Sequence, residues 1–291
     1  MSHTPPHGHH GHQHGHGHGH HHDDEDQVEM LDLSAEILAE HIAATTAWLP
    51  VEGSPRKIVD LGCGTGAGTF ALLARFPEAH VTAVDSSAEH LDRLEEKARA
   101  QGVDERVSLV RADLDADWPD LGTPDLVWAS ASMHHMADPN RALRKVRDLL
   151  APGGLFAVVE LAGLPNFLPD DAPQDRPGLE ARLYTAADRS SAEEMPYRGA
   201  DWGPMLTNAG FVVEGEQVFT ANIEGSRDET VGRYALGTLR RVRAAVADEL
   251  APDDLAALDR LLDTGGPGSI LHRDDLALRT ERTVWAARRG G

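Results

Sequence analysis

Cysteine is nearly absent: the 291-residue chain has one, Cys63. That leaves no disulfide framework and no zinc site built on cysteine ligands. Basic residues are scarce beside acidic ones. There are 27 Lys and Arg against 48 Asp and Glu, for a formal net charge of −21. A phosphate backbone is repelled by such a field, which counts against nucleic acid and anionic membranes as partners. The local basic stretch Arg240, Arg241 and Arg243 reads as a solvated helix face. No window approaches the roughly 18 apolar residues of a membrane span. The N-terminus has no apolar stretch of the kind a secretory signal carries, since histidines and glycines run straight into acids. A cytoplasmic protein is expected, long enough to bury a full core without staples.

What the N-terminus does have is histidine. Residues 1–26 hold eleven of the 17 histidines, interleaved with glycine and followed by Asp23 to Asp26. Nothing there can bury a core, so disorder is expected. Imidazoles at this density bind zinc, nickel, copper or cobalt loosely. The candidate ligands are His9, His10, His12, His14, His16, His18, His20, His21 and His22. They lack the fixed spacing and orienting partners of a catalytic metal site.

Order is expected from Gln27. Residues 27–50 form a helical segment, with Ser34 a point of interruption or capping and Pro50 the stop. Short apolar runs then alternate with helical patterns. Strands are predicted at Lys57–Leu61, His80–Asp85, Val107–Val110, Asp125–Ala129 and Leu155–Glu160. Between them lie helices at Thr69–Phe76, from Ser86 to Gly102 behind a Ser86/Glu89 capping box, and from Pro139 to Leu150. Almost wholly apolar strands separated by helices imply a parallel sheet covered on both faces. Residues 51–162 make this core. Residues 163–200 lose the rhythm and read as a long insertion, a candidate substrate lid. Beyond it come a helix at Trp202–Ala209, a strand at Phe211–Phe219, two helices and an alternating C-terminal strand or hairpin at Leu276–Ala287, so that 163–291 combines lid elements with the last sheet strands. Substrate specificity is expected in the N-terminal helix, in residues 163–200 and in the helices of 228–262.

The chemistry concentrates in Val59-Asp60-Leu61-Gly62-Cys63-Gly64-Thr65-Gly66-Ala67-Gly68. Gly62, Gly64 and Ala67 satisfy the spacing of a dinucleotide-binding loop. Asp85, some 20 residues on, suits ribose hydroxyls in NAD or in any adenosine cofactor. Asp60 does not suit a pyrophosphate, because a carboxylate beside it is repelled. It does suit S-adenosylmethionine, which has no phosphate and carries an ammonium and a sulfonium. A third acid, Asp113, can accept from an adenine amino group and has no task under NAD. Acids at three successive strand ends favour the sulfonium cofactor.

These segments resemble the motifs of class I S-adenosylmethionine-dependent methyltransferases, in their small-molecule members. Val59–Gly66 is similar to the glycine motif, Val84-Asp85 to the ribose-binding acid and Ala112-Asp113-Leu114 to the adenine motif. Ser132–Asp138 is similar to the segment after strand four and Leu150–Gly154 to the turn before strand five. The resemblance covers about residues 55–162. It implies an α/β, Rossmann-like sheet of seven mostly parallel strands with an antiparallel last strand and helices on both faces. It also implies roles. Asp60 faces the methionyl amino group, and Gly62, Gly64 and Gly66 allow close backbone approach. Asp85 and the adjoining Ser86 hold the ribose, Asp113 and Leu114 the adenine, and Ser130 borders the sulfonium. His135, ahead of His134, is the candidate base if the acceptor must lose a proton. Trp48, Tyr184, Tyr197 and Trp202 are candidate acceptor-pocket aromatics, with core packing the alternative for each.

The expected function is therefore in-line methyl transfer to a small organic molecule. The competing readings are an NAD(P)-dependent oxidoreductase and a metal-buffering protein with a degenerate cofactor domain. The acceptor molecule, the acceptor atom and the oligomeric state are not readable from the residues.

Overall fold

The computed structural model describes residues 19–193, 195–225 and 229–290, with side chains from Glu25 onward. The chain enters through α1 (Gly19–Ile37) and α2 (Ala39–Trp48). The two are nearly continuous. Helical hydrogen bonds run through the junction, from Leu38 N to Ser34 O and from Ile42 N to Leu38 O. The interruption falls at Leu38 and not at Ser34, because Leu38 turns into the core and is 2 % exposed. α1 begins at Gly19, earlier than the expected onset at Gln27. Extending a helix already nucleated downstream costs little per residue.

The alternating core follows in the expected order: β1 (Lys57–Leu61), α3 (Ala67–Arg75), β2 (His80–Asp85), α4 (Ala88–Ala100), β3 (Val107–Arg111), β4 (Leu126–Ser130), α5 (Pro139–Leu149) and β5 (Leu155–Leu161). The remainder is α6 (Leu179–Ser191), α7 (Trp202–Asn208), β6 (Phe211–Glu224), α8 (Glu229–Ala245), α9 (Pro252–Leu262) and β7 (Ala277–Arg289). The seven strands form one sheet in the order β3-β2-β1-β4-β5-β7-β6. β7 is antiparallel to both β5 and β6, and the pairings among β1 to β5 are parallel. β6 and β7 pair over long runs, but α8 and α9 lie between them in sequence, so they are not a simple hairpin.

Successive residues of each central strand enter opposite cores. On one face Val59, Leu61, Val127, Phe156 and Val158 meet Leu143 and Val146 of α5 and Trp202 of α7. On the other, Ile58, Trp128, Ala157 and Val159 meet Leu72 and Leu73 of α3 and Leu49 after α2. Each such aliphatic or Phe side chain contributes roughly 1.5–3 kcal/mol by leaving water. The polar chemistry is thereby restricted to the strand ends.

A third core gathers Phe167 and Leu168, α6 (Leu183, Tyr184), α8 (Leu239), α9 (Leu258) and Leu278 of β7. The expected lid segment 163–200 is thus largely built into a packed unit at the β6–β7 end. Asp254 pins it. One carboxylate oxygen accepts from Arg176 Nε at 2.8 Å, and the other from Arg182 Nε at 2.9 Å. Arg182 and then Arg176 hold the buried Asp254 carboxyl down at about 2 against the opposing effect of burial. Its stabilising contribution is complete above its ordinary value near 3.8 and is lost as pH falls through about 2. Replacing Asp254 by Asn is expected to lower the melting temperature at pH 7 by roughly 5 °C. A pH series of melting curves checks this, and the gap should narrow below pH 4 and close as pH falls through about 2.

Candidate active site

The sheet reverses its winding direction between β1 and β4. At such a switch point the loops after the two strands diverge and leave a crevice at their carboxyl ends. A cavity of about 490 Å³ lies there. Its wall includes Asp60, Gly62, Gly64, Asp85, Ser86, Asp113, Leu114, Ser130 and His135. The structure therefore brings together, from four separate loops, most of the residues that the sequence singled out.

Asp85 organises the wall. Its Oδ2 accepts from Gly64 N–H at 2.9 Å, and its Oδ1 accepts from Ser87 N–H at 3.0 Å and lies 3.2 Å from His90 Nδ1. Burial pushes this carboxyl up, but His90 and the two N–H groups outweigh it and hold it below its ordinary value. The grip on Ser87 also corrects the expected cap. Ser87, not Ser86, is the N-cap of α4, accepting from His90 N–H at 3.2 Å. Its hydroxyl donates to Glu89 at 3.0 Å. Ser86 is left on the cavity wall.

The glycines do different jobs. Gly62 has φ +69°, and a Cβ there would stand 2.5 Å from Ser132 Cβ, whose hydroxyl donates to Leu61 O at 2.8 Å. A side chain at Gly62 would push this turn apart. Gly66 is a correction: it does not line the cavity, and its Cβ would strike Phe70 at 2.7 Å and Leu94 at 2.8 Å. It lets the loop pack against α4. Opposite the loop, Ala131 takes a left-handed φ of 51°. That conformation costs about 1–2 kcal/mol for a residue with a Cβ, and it sits on the cavity wall.

Asp60 is 2 % exposed. Burial pushes its carboxyl up to about 7, the Thr69 hydroxyl at 2.7 Å pulls it down, and the like charge of Asp85 pushes it up again. No cation among the described residues offsets this. An uncompensated buried acid on a cavity wall fits a ligand that brings positive charge. Cys63 is buried, and burial with the charges of Asp60 and Asp85 holds its thiol far up, so it is inert as a nucleophile. Asp113 is more open, and its Oδ1 accepts from Asp115 N–H at 2.9 Å.

The two histidines separate. His134 is 5 % exposed and does not line the cavity; its Nδ1 lies 2.6 Å from Glu160 Oε2. That placement removes it from the candidate bases. Its ring lies 4.1 Å, centroid to centroid, from that of His135. His135 does line the cavity. Burial, His134 and Arg198 depress its pKa while Glu160 opposes them, so its ring is neutral near pH 7.

The N-terminal helical segment was expected to contribute to the site, but several wall residues were not singled out individually. Gln27, Leu31, Ser34 and Ala35 of α1, Ile42 of α2, His90, Trp128 and Arg282 all contribute. None of the described residues of 163–200 does. Tyr184 and Trp202 pack in cores, Tyr197 packs beside Trp202, and Trp48 stands edge-on to Phe219. The amphipathic pattern of 27–50 marked a helix but could not say which face covers a cleft. Of the candidate metal ligands, His9, His10, His12, His14, His16 and His18 lie outside the described residues, as do the side chains of His20, His21 and His22. No cluster of metal-binding side chains occurs among the described residues. No helix among them is long and apolar enough to cross a membrane.

Comparison with known proteins bears on this geometry. A methyltransferase-domain family matches residues 58–154. The trans-aconitate 2-methyltransferase of Mycolicibacterium gilvum (strain PYR-GCK) is 34 % identical over 224 residues, 73 % of this chain and 80 % of that protein. The chain belongs to the S-adenosylmethionine-dependent methyltransferases. The same-named protein of Rhodococcus jostii (strain RHA1) is 31 % identical over 218 residues, covering 68 % of this chain and 78 % of its own. In fold, the YcgJ protein from Bacillus subtilis aligns with a TM-score of 0.52 at 16 % identity, over 87 % of this chain and 99 % of that one. This methyltransferase acts on small molecules with S-adenosylmethionine as cofactor, and nothing supports the oxidoreductase or metal-buffering alternatives.

The raised Asp60 carboxyl has a consequence for the unliganded protein. From its ordinary value near 3.8 up to about 7, the folded chain holds a proton that the unfolded chain has released. Stability therefore falls as pH rises through that window and stays lower above it. Asp60→Asn is expected to match the wild type near pH 4 and to melt roughly 5 °C higher at pH 8. Thermal melts without cofactor at both pH values measure it, and equal melting at pH 8 would contradict it.

Proposed function

We propose that the acceptor is a small polycarboxylic acid of the trans-aconitate kind and that a carboxylate oxygen takes the methyl group. The acceptor class is supported by two relatives, named for trans-aconitate, that align over more than two thirds of the chain. The uncompensated Asp60, on a wall otherwise suited to an adenosyl group, supports the place of the cofactor's ammonium.

In this reading Asp60 meets the methionyl ammonium, which restores its charged form. Asp85, already anchored by Gly64, Ser87 and His90, keeps lone pairs free for the ribose hydroxyls. Ser86 borders the same group. Asp113 accepts from the adenine amino group beside Leu114, and Gly62 and Gly64 let the backbone close on the ligand. Ser130, at the end of β4, borders the sulfonium. When bound, S-adenosylmethionine would supply an electrophilic methyl group and a sulfide leaving group that keeps the electron pair of the C–S bond, as the acceptor carboxylate takes the methyl.

The chain's own task is alignment and exclusion of water, which can supply most of the acceleration. A carboxylate is already ionised at neutral pH, so no base is required. The neutral His135 ring then serves as a hydrogen-bonding wall beside the acceptor. Glu160 supports it indirectly by fixing His134 and accepting from Met133 N–H at 2.9 Å.

A panel of alcohols, amines, mono- and polycarboxylates is to be incubated with the protein and cofactor, reading S-adenosylhomocysteine. Polycarboxylates should give the highest kcat/KM; turnover confined to alcohols or amines would sink the acceptor assignment. His135→Asn should lower kcat less than about tenfold, whereas loss of a general base costs about 10²–10⁴-fold. Single-turnover rates across pH 6–9 distinguish the two.

A further inference from the structure

Arg282 lies on β7, with Leu161 of β5 and Phe219 of β6 as register partners. It lines the cavity, and its Nε is buried without a hydrogen-bond partner. Burial depresses the guanidinium, while Tyr234 and Glu160 act in its favour. Glu160 cannot do more. Its Oε1 accepts from the N–H groups of Met133 and His134, and its Oε2 is taken by His134 Nδ1. A second orphan stands nearby. His41 Nε2 is also buried and unpartnered. The His41 ring is edge-on to Phe219 at 6.0 Å, and burial together with the Arg282 charge lowers its pKa. Two unpartnered nitrogens therefore stand at this end of the sheet, Arg282 on the cavity wall and His41 behind it.

A buried guanidinium nitrogen without a hydrogen-bond partner burdens a fold, and an apolar residue of similar volume would serve stability better. Its presence on a cavity wall points to a ligand. Sheet order says which one. Along β2-β1-β4-β5-β7, neighbouring strands are about 4.8 Å apart. Arg282 is therefore on the order of 19 Å from the ribose-binding end at β2 but only about 10 Å from β4, where Ser130 borders the reacting centre.

The geometry points to Arg282 as the anchor for a second carboxylate of the acceptor, distinct from the one that is methylated. This rests on the polycarboxylate reading above. Guanidinium and carboxylate match as a planar, bidentate pair. The anchor also supplies local positive charge on a chain whose net charge of −21 would otherwise repel an anionic substrate. It makes the site selective: a monocarboxylate leaves Arg282 unpaired and loses binding accordingly.

The test uses the full chain with trans-aconitate as the probe and crotonate as the monocarboxylate control. Arg282→Met should raise the KM for trans-aconitate by about 100-fold, change kcat only a few-fold and leave the cofactor Kd from calorimetry unchanged. Arg282→Lys should fall between, and is read in its place if the Met variant does not fold. With S-adenosylhomocysteine present, trans-aconitate should raise the melting temperature of the wild type and not of Arg282→Met. An unchanged KM in either variant overturns the anchor and leaves the polycarboxylate reading standing. A weakened cofactor Kd with an unchanged acceptor KM also overturns it, assigning Arg282 to the methionyl carboxylate. A wild type that methylates neither trans-aconitate nor any other polycarboxylate overturns both.

Discussion

The central strands have no solvent face. Residues of β1, β4 and β5 alternate between two apolar cores, and almost none is exposed along their length. A sheet buried in this way can place polar side chains only where the strands end. The reversal between β1 and β4 then makes one set of ends the edge of a crevice. Asp60, Asp85 and Ser130 are the last or nearly last residues of their strands, and Asp113 follows the end of β3. Their convergence on one cavity follows from the sheet.

Within that frame, charge decides what the cavity accepts. Asp85 is satisfied by protein donors before any ligand arrives. Asp60 is not, and its raised carboxyl records the lack. On the same wall Arg282 presents the opposite deficit, a guanidinium whose Nε has no hydrogen-bond partner among the described residues. An anionic corner for the cationic end of the cofactor and a cationic corner for an anionic acceptor would give the two substrates distinct places. Two such opposite charges left bare in one cleft are better explained by ligands than by folding, since burial of either alone is unfavourable.

The packed unit built from segment 163–200, α6, α8 and α9 bears on the cavity less directly than its irregular sequence suggested. It stiffens the β6–β7 end of the sheet through its own apolar core and the Asp254 clamp. The cover over the cofactor loop is supplied by α1, through Gln27, Leu31, Ser34 and Ala35. α1 is tied down by Asp32, which accepts from Arg93 Nε at 2.7 Å and Lys97 Nζ at 2.9 Å on α4. Access to the site is thus linked to the N-terminal helix.

The sequence by itself determined the alternation of strands and helices, the glycine turn and the acids at strand ends. These are local signals: an apolar run of a few residues, a glycine where φ must be positive, a carboxylate one step beyond a strand. It could not separate neighbours that differ only in what they face. Gly62 and Gly66 look alike in the loop, yet one abuts Ser132 on the cavity wall and the other Leu94 of α4. Ser86 and Ser87 exchange roles because Asp85 holds one N–H. His134 and His135 part because Glu160 captures the first. Arg282 and His41, roughly 240 residues apart, meet only when β7 is inserted between β5 and β6 and α2 settles over Phe219. Tertiary structure decided these points because each depends on a contact between residues distant along the chain, and the energy of such a contact leaves no periodicity in either segment.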